Sequence, residues 1–260
     1  MEKQRLGELG SYSALESIVN KLMAPDGCPW DREQTHKSLK KNLLEECYEF
    51  LEAIDNCDTD NMVEELGDIL LQVVFHIGIG QENGIFRAED VFDHVNRKLI
   101  RRHPHVFGDT KADNAQQVKK NWENIKQKER GNSSRLSGVP KTLPALAYAQ
   151  LIQERASMSG FDWQDQSGAL QKIHEEILEL KNAAGNEEKE WELGDLLFSV
   201  VNLSRFINVV AEESLRGANK RFSKRFGYME NICNNNGTDF VSLPIEEKEK
   251  LWDKAKNEVG

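Results

Sequence analysis

The sequence predicts an all-α protein made of two tandem helical bundles. Apolar residues recur at intervals of three and four, as in Leu39, Leu43 and Leu44 and again in Ile173 and Ile177. This spacing is typical of amphipathic helices, and alternating strand-like runs are nearly absent. A second observation is that one series of motifs occurs twice in the same order, which indicates an internal duplication.

Five landmarks define the duplication, and their approximate spacing is kept. They are GCPWD (27–31) with GFDWQ (160–164), EECYE (45–49) with EEILE (175–179), ELGD (65–68) with ELGD (192–195), NRKLIRR (96–102) with NKRFSKR (219–225), and Trp122 and Lys126 with Trp252 and Lys256. A stretch rich in Gly, Ser and Pro separates the two copies, as expected of a linker. We therefore predict an N-terminal unit at 1–130, a linker at 131–144 and a C-terminal unit at 145–260.

Composition restricts the classes of partner. The formal charge of −10 and the pI near 5.2 argue against a nucleic-acid-binding protein, which needs a broad basic surface. The four cysteines form no metal-site or disulfide spacing, which favours reduced thiols and a cytoplasmic location. The apolar run at 69–79 contains Gln72 and His76 and is too short to cross a bilayer, so we expect no membrane association.

Within each copy, a short polar segment divides two helices. DNCDTDN (55–61) separates the EECYE helix from the first ELGD helix, and NAAGN (182–186) does the same in the second copy. Short connections of this kind join antiparallel neighbours, so each copy should contain a helical hairpin.

Paired acids should face each other across each hairpin. Glu46 and Glu49 lie one turn apart on the first helix, and Glu65 and Asp68 lie one turn apart on the second. Two such acids repel each other by about 4 kcal/mol at an effective dielectric near 20. A hard divalent cation, Mg²⁺ or Mn²⁺, removes this repulsion. The C-terminal copy offers the same set as Glu176, Glu179, Glu192 and Asp195.

Two other interpretations of these acids are a solvated acidic helix face and a di-iron bundle. A solvated acidic helix face is the usual explanation of a single ExxE or ExxD motif, but it does not explain a duplicated set beside apolar runs. A di-iron bundle requires Glu-x-x-His motifs, and none of the six histidines supplies one. The oxygen-only set favours a hard divalent cation.

Basic residues recur as well. Lys98, Arg101 and Arg102 share one helix face, and the second copy matches them with Arg221, Lys224 and Arg225. Such clusters can bind the phosphates that a metal ion also carries. Trp122 and Trp252 are candidates both for stacking on a nucleobase and for core packing, and each has a lysine on its face, Lys126 and Lys256.

The two copies differ at one informative position. Lys172 lies one turn before Glu176, where it can reach a phosphate, whereas the first copy has Asn42 at the matching position. This difference favours the C-terminal unit as the catalytic one.

The chain strongly resembles the two-domain MazG family of nucleoside triphosphate pyrophosphohydrolases. The motifs that carry the resemblance cover Gly27 to Lys256: GCPWDREQT, LLEECYEFLEAID, ELGDILLQVVF, RRHPHVFGD, LPAL, GFDW, EEILE and ELGDLLFSVVNL. It implies an all-α homodimer that splits NTPs into NMP and pyrophosphate with Mg²⁺.

The resemblance also implies residue roles. Metal ligands would be Glu176, Glu179, Glu192 and Asp195, and the first copy matches this pattern with Glu46, Glu49, Glu65 and Asp68. Substrate contacts would be Lys172, Glu175, Arg221, Lys224, Arg225, Trp252 and Lys256. We expect Glu175, Glu176, Glu192 and Asp195 to carry catalysis, with Glu175 either orienting water or contacting the sugar. The alternative is a metal-dependent nucleotide sensor without turnover.

Overall fold

The computed structural model describes residues 9–131 and 133–260, and these ranges contain α-helices and no strand. This confirms the all-α prediction. The helices are α1 (Tyr12–Met23), α2 (Pro29–Arg32), α3 (Lys40–Asp55), α4 (Thr59–Glu82), α5 (Ala88–Arg102), α6 (Pro104–Phe107), α7 (Ala115–Arg130), α8 (Ala145–Ser157), α9 (Gln166–Asn182), α10 (Asn186–Phe206), α11 (Ala211–Asn235) and α12 (Ile245–Val259).

The chain divides into two compact units, Met1–Trp122 and Glu123–Gly260. The division falls inside α7, ahead of the segment 131–144 that the sequence predicts as a linker. That segment contains no helix at its described positions, and part of it packs within the second unit. Val139 is buried, and Arg155 Nη1 on α8 donates a hydrogen bond to the carbonyl of Ser137 at 2.7 Å.

In the first unit, α3 and α4 form a hairpin, and α1 packs on α4. The connection is tight because Cys57 adopts a positive φ of 54° and Asp58 caps α4 by accepting from the backbone N–H of Asn61. The C-terminal half of α4 is apolar and buries its side chains against α1 and the residue before α3. The core consists of Val19, Leu39, Val74, Phe75 and Ile79.

In the second unit, α9 and α10 form the corresponding hairpin, α8 packs on α10 and α11, and α11 packs on α12. The Asp165 side chain caps α9 by accepting from the N–H of Ser167. Gln150 of α8 bridges the connection between α10 and α11, since its amide donates to the carbonyl of Val209 and accepts from the N–H of Ala211.

No single described helix is both long and apolar enough to cross a membrane. Taken together, α10 and α11 reach the length and apolar composition of a membrane span, and the two helices are bent by 105° relative to each other.

Candidate metal and phosphate sites

Three carboxylates meet across the α9–α10 hairpin of the second unit. Glu176 and Glu179 come from α9 and Glu192 comes from α10, and one oxygen of each lies within 4.8 Å of the others. The hairpin produces this meeting because the acids lie at similar distances from its turn. Asp195 is outside this group of three but close enough for its charge to act on Glu192.

Glu176 is the most deeply buried acid of this group, with 3% of its surface exposed. Its Oε1 lies 2.7 Å from Nζ of Lys172, whereas its Oε2 is buried without a hydrogen-bond partner. Lys172 also contacts Oε1 of Glu175 at 2.8 Å, and these two contacts raise the pKa of the lysine. A buried carboxylate oxygen without a donor is unfavourable, so the site is suited to an added cation.

The pKa of Glu192 is raised above its ordinary value. Partial burial is the largest cause, and the negative charges of Glu179, Glu176 and Asp195 add to it. Both effects favour the protonated form. A divalent cation reverses them because it replaces repulsion between the acids by attraction to a common positive charge.

The first unit has a matching carboxylate group. Glu46 and Glu49 of α3 and Glu65 of α4 each place one oxygen within 4.8 Å of the others. Burial raises the pKa of Glu46, and the charges of Asp68, Glu49 and Glu65 raise it further. The pKa of Glu65 is raised in the same way. The first unit has no lysine equivalent to Lys172 in this group, because Asn42 occupies that position.

Both carboxylate groups fit a hard divalent cation. Their donors are oxygens alone, as Mg²⁺ and Mn²⁺ prefer. The unpartnered Oε2 of Glu176 is an independent sign of fit in the second unit, since a bound cation would supply its missing partner.

The basic residues of the second unit lie on α11, which packs on α12 and α8. Arg221 and Lys224 are exposed, and the structure gives them no ion pair within the described residues. Arg225 is engaged, because its Nε donates to the carbonyl of Gly260 at 3.0 Å and its guanidinium lies 5.6 Å from the ring centre of Trp252.

Trp252 contributes to packing between α11 and α12. Its ring lies 5.3 Å from that of Phe222, and it is partly buried. On the same helix, Lys256 forms an ion pair with Asp253 at 2.7 Å. These packing contacts are compatible with both interpretations of Trp252, because the ring is only partly buried.

The basic residues of the first unit make similar contacts. Arg102 lies over the ring of Trp122 at 5.5 Å, and His103 contacts the same ring edge to face at 4.7 Å. Lys98 is partly buried on α5 and Arg101 is exposed. Lys126, which follows on α7 in the second unit, pairs with Glu123 at 3.1 Å.

Comparisons with known proteins decide the family. A protein of Thermotoga maritima named nucleoside triphosphate pyrophosphohydrolase/pyrophosphatase MazG is 52% identical over 247 residues, which are 94% of this chain and 95% of that protein. An Escherichia coli K12 protein named nucleoside triphosphate pyrophosphohydrolase is 41% identical over 259 residues, 96% of this chain and 98% of that protein. The chain belongs to the MazG family.

Two further findings concern the extent of the MazG match. The family model described as MazG nucleotide pyrophosphohydrolase domain matches residues 34–107, which contain the first carboxylate group and α5. Uncharacterized protein YabN of Bacillus subtilis is 45% identical over 251 residues, which are 94% of this chain and 51% of YabN. The two-unit MazG sequence therefore also occurs as half of a longer protein.

The sequence identifies GFDW only as a landmark of the MazG repeat and does not predict the contacts and the cleft around this motif. Asp162 of this motif forms an ion pair with Arg205 of α10 at 2.7 Å, beside a cleft of about 300 Å³ within the second unit. The two residues are 43 positions apart, so helical periodicity gives no signal for their contact. The aromatic residues of the motif are the sequence feature that could have indicated the cleft.

Proposed function

We propose that this chain is a Mg²⁺-dependent nucleoside triphosphate pyrophosphohydrolase that uses water to split NTP into NMP and pyrophosphate. Its Thermotoga and Escherichia relatives are named for nucleoside triphosphate pyrophosphohydrolysis. The observation that carries the proposal is the meeting of Glu176, Glu179 and Glu192 around an unpartnered buried oxygen. Plain acidic helix faces would leave such oxygens in solvent.

In this proposal, the metal ligands of the second unit are Glu176, Glu179, Glu192 and Asp195. Bound Mg²⁺ would polarise phosphate oxygens and offset the charge of the leaving pyrophosphate. Mn²⁺ is a plausible substitute because it also prefers oxygen ligands. The first unit would bind a cation through Glu46, Glu49, Glu65 and Asp68.

The cations of this chain would hold the triphosphate. Lys172 lies beside Glu176 and can turn from the two glutamates to a phosphate oxygen once another cation neutralises them. Arg221 and Lys224 are exposed cations that can add further phosphate contacts. Substrate binding would require a change in the present contacts of Arg225, Trp252 and Lys256.

Glu175, Glu176, Glu192 and Asp195 form the proposed catalytic group. Glu175 is the solvent-exposed partner of Lys172, with about half of its side chain accessible. It can therefore accept a hydrogen bond from a water placed for in-line attack, or one from a sugar hydroxyl. The basic residues would stabilise negative charge on the departing pyrophosphate.

The second unit is proposed as the catalytic one because, among the residues that the structure describes, it alone places a lysine beside the carboxylates. The first unit would then bind a cation in a supporting or sensing role, and its candidate phosphate contacts are Lys98, Arg101, Arg102, Trp122 and Lys126. This asymmetry is also the best support for the alternative function, a metal-dependent nucleotide sensor without turnover.

We further propose that the chain forms a homodimer in the cytoplasm. Apolar side chains of α4 and α10 remain exposed within their units, which favours burial against a second copy. All four cysteines are free thiols, as expected in a reducing compartment. The proposal includes neither nucleic acid nor membrane as a partner.

The test is product analysis with a panel of NTPs, with and without Mg²⁺. We expect NMP and pyrophosphate with Mg²⁺ and no turnover in chelator. Glu192→Gln should lower kcat by roughly 100-fold or more, as losing a main electrostatic group does, whereas Glu65→Gln should keep most activity. Glu190→Gln is the matched control, because Glu190 is an exposed acid on the same helix outside the carboxylate group.

Other products or other variant effects would lead to different conclusions. NDP and phosphate would redirect the assignment to another phosphohydrolase, and binding without turnover would favour the sensor. Loss of activity in Glu65→Gln but not in Glu192→Gln would move the catalytic site to the first unit.

A further inference from the structure

A cleft of about 300 Å³ lies in the second unit between α8, α10 and the loop that carries GFDW, and it is called the GFDW cleft below. Its walls are mainly apolar and include Ile152, Phe161, Trp163 and Phe198. Small-molecule sites have volumes from about 300 Å³ upward and are mainly apolar with a few polar groups. Since a cavity of about 150 Å³ holds benzene, the GFDW cleft has room for a ligand with two fused rings.

The GFDW cleft is separate from the groups proposed to bind substrate. Among the residues that the structure describes, none of the proposed metal ligands or phosphate contacts lines it. The candidate base contact, Trp252, lies on α12, and neither α11 nor α12 contributes a residue to the cleft. A ligand in the cleft would therefore be a second molecule, bound in addition to substrate.

The GFDW cleft also lies on a different face of α10 from the exposed apolar residues of that helix. Leu197 and Val200 are exposed, whereas Phe198 and Asn202 line the cleft. Successive residues of a helix are about 100° apart around its axis, so each cleft residue points at least about 100° away from Leu197 and from Val200. A second copy that packs on Leu197 and Val200 would therefore leave the cleft open.

Gln153 gives the GFDW cleft an acceptor without a partner. The side chain lines the cleft and is buried, with 7% of its surface exposed. Its Nε2 donates to the carbonyl of Phe198 at 2.8 Å, whereas its Oε1 is buried and has no hydrogen-bond partner. An unpaired buried acceptor is unfavourable, so a ligand that brings an N–H or O–H donor would gain from it.

The charges beside the GFDW cleft are already neutralised. Asp162 and Arg205 both line it, and they form an ion pair in which Nη2 of Arg205 lies 2.7 Å from Oδ1 of Asp162. A charged ligand would have to break this pair or enter an apolar site without a counter-charge, and both are costly. The cleft therefore suits a neutral ligand and not a phosphate.

The aromatic wall of the GFDW cleft is held in place before any ligand binds. Gly160 has a φ of 83°, which turns the chain sharply after α8. The Trp163 ring packs so closely on Gly168 of α9 that a Cβ there would lie 2.8 Å from ring atoms. A wall that is already ordered lowers the entropy cost of binding a planar ligand.

The first unit has different residues at the equivalent positions. Aligning GCPW with GFDW places the exposed Asn20 where the second unit has Gln153. Aligning the two ELGD motifs places Phe75 where the second unit has Asn202, and Phe75 belongs to the buried core. We therefore assign the site to the second unit alone.

We propose that the GFDW cleft is a second ligand site, separate from the substrate site, for a small neutral molecule with a planar ring system and an N–H or O–H donor. The rings would lie against Trp163 and Phe198, and the donor would pair with Oε1 of Gln153. This ligand carries no phosphate, so the inference does not rest on the proposed function.

The first test compares indole with benzofuran, which has the same two-ring shape but no N–H donor. In calorimetric titration of the full chain we expect indole to bind with a Kd below about 1 mM, and benzofuran to bind roughly fivefold more weakly because one hydrogen bond is lost. Gln153→Met keeps a side chain of similar size without the acceptor, so it should remove this difference. Gln171→Met is the matched control, because Gln171 is exposed on α9 outside the cleft, and circular dichroism checks that each variant folds.

The second test locates the probe and compares it with substrate. The side-chain N–H resonance of Trp163 is assigned by its loss in Trp163→Phe, and we expect it to shift on titration with indole. The titration is then repeated with Mg²⁺ and an NTP analogue that has a methylene group between its α and β phosphorus atoms. We expect the Kd of indole to stay the same, because the two molecules occupy different sites.

Several outcomes would overturn the proposal. They are the absence of indole binding, equal affinities for indole and benzofuran in the wild type, and a preference for indole that survives in Gln153→Met. Displacement of indole by the NTP analogue would make the cleft part of the substrate site, and a Kd of indole that rises with protein concentration would show that a second copy fills it. If the chain hydrolyses no NTP, the proposed function fails, whereas the comparison of the two probes in the wild type still decides this inference.

Discussion

Lys172 and Glu176 form the contact that most distinguishes the two carboxylate groups. In the second unit the lysine neutralises a buried acid, whereas the first unit leaves its acids to repel one another. The lysine therefore acts as a counter-charge to Glu176, and in the proposed function a bound metal ion would replace it. We therefore expect the residue at position 172 to affect the stability of the metal-free protein more than any other property.

Replacing Lys172 by Met should destabilise the metal-free protein and increase its response to Mg²⁺. Removing one partner of a buried pair costs about 3–5 kcal/mol, but Lys172 is itself 40% exposed, so we expect about 1–2 kcal/mol. Thermal unfolding in chelator and in Mg²⁺ measures both effects. Lys181→Met is the control, since Lys181 is an exposed lysine in the last turn of the same helix; equal shifts for the two variants would contradict this role of Lys172.

At this scale the sequence predicted Lys172 and three acids of each group correctly as neighbours, because helix geometry fixes which residues of one helix share a face. It also predicted Asp68 and Asp195 in these groups, and the structure places them outside. It could not predict which oxygen of Glu176 would lack a partner. It also left open the role of Trp252, because a partly buried tryptophan and a ligand-stacking one have the same helical spacing. Contacts with Phe222 and Arg225 show that the Trp252 ring takes part in packing, and its contact with a base stays a prediction.

At the scale of elements, the hairpin is the unit that creates a site. α9 and α10 are joined by residues 183–185, and α3 and α4 by residues 56–58, so each pair of acids meets its counterpart at a fixed distance from the turn. Turn composition and helical periodicity are local signals, and they sufficed to predict both hairpins. The cleft beside the ion pair of Asp162 and Arg205 depends on contacts between a loop and two helices that are distant in sequence, and local signals do not report such contacts.

The carboxylate groups should bind Mg²⁺ more weakly as pH falls. The raised pKa values of Glu46, Glu65 and Glu192 mean that protons occupy these acids at a higher pH than usual. A proton and a metal ion compete for the same oxygen, so affinity is greatest above the raised pKa values and declines below them. Calorimetric titration at about pH 7.5 and about pH 5.5 should show a lower affinity at the acidic pH.

The matched control for this pH effect is the protein carrying both Glu65→Gln and Glu192→Gln. An amide does not titrate in this range, so residual binding should depend less on pH than in the wild type. An affinity for Mg²⁺ that stays constant between the two pH values would show that these carboxylates do not hold the ion.

At the scale of the whole molecule, each unit leaves a stripe of apolar side chains exposed on its ELGD helix. In α10 the stripe consists of Leu193, Leu197 and Val200, about half of whose surface is accessible. The stripe in α4 consists of Leu66, Leu70 and Val73. The members lie at intervals of four and three residues and occupy equivalent positions after alignment of the two ELGD motifs.

This repetition explains why the ELGD helices are more apolar than a single hairpin requires. One face buries against its own unit, and the exposed stripe is available to a second copy. The sequence predicted a dimer only from general reasoning about narrow cores and from family resemblance. The structure adds the residues on which a test can be made.

Replacing Leu197 by Lys should weaken self-association without unfolding the chain. A lysine in the centre of an apolar interface loses the burial of leucine and carries a charge out of water, so we expect Kd for dimer formation to rise roughly 100-fold, or about 2.7 kcal/mol. Sedimentation velocity over a dilution series should show monomer at concentrations where the wild type is dimeric. Glu230→Lys, an exposed charge change on α11, is the control; a wild type that remains monomeric, or a Leu197→Lys variant that dimerises as the control does, would show that the α10 stripe is not the dimer contact.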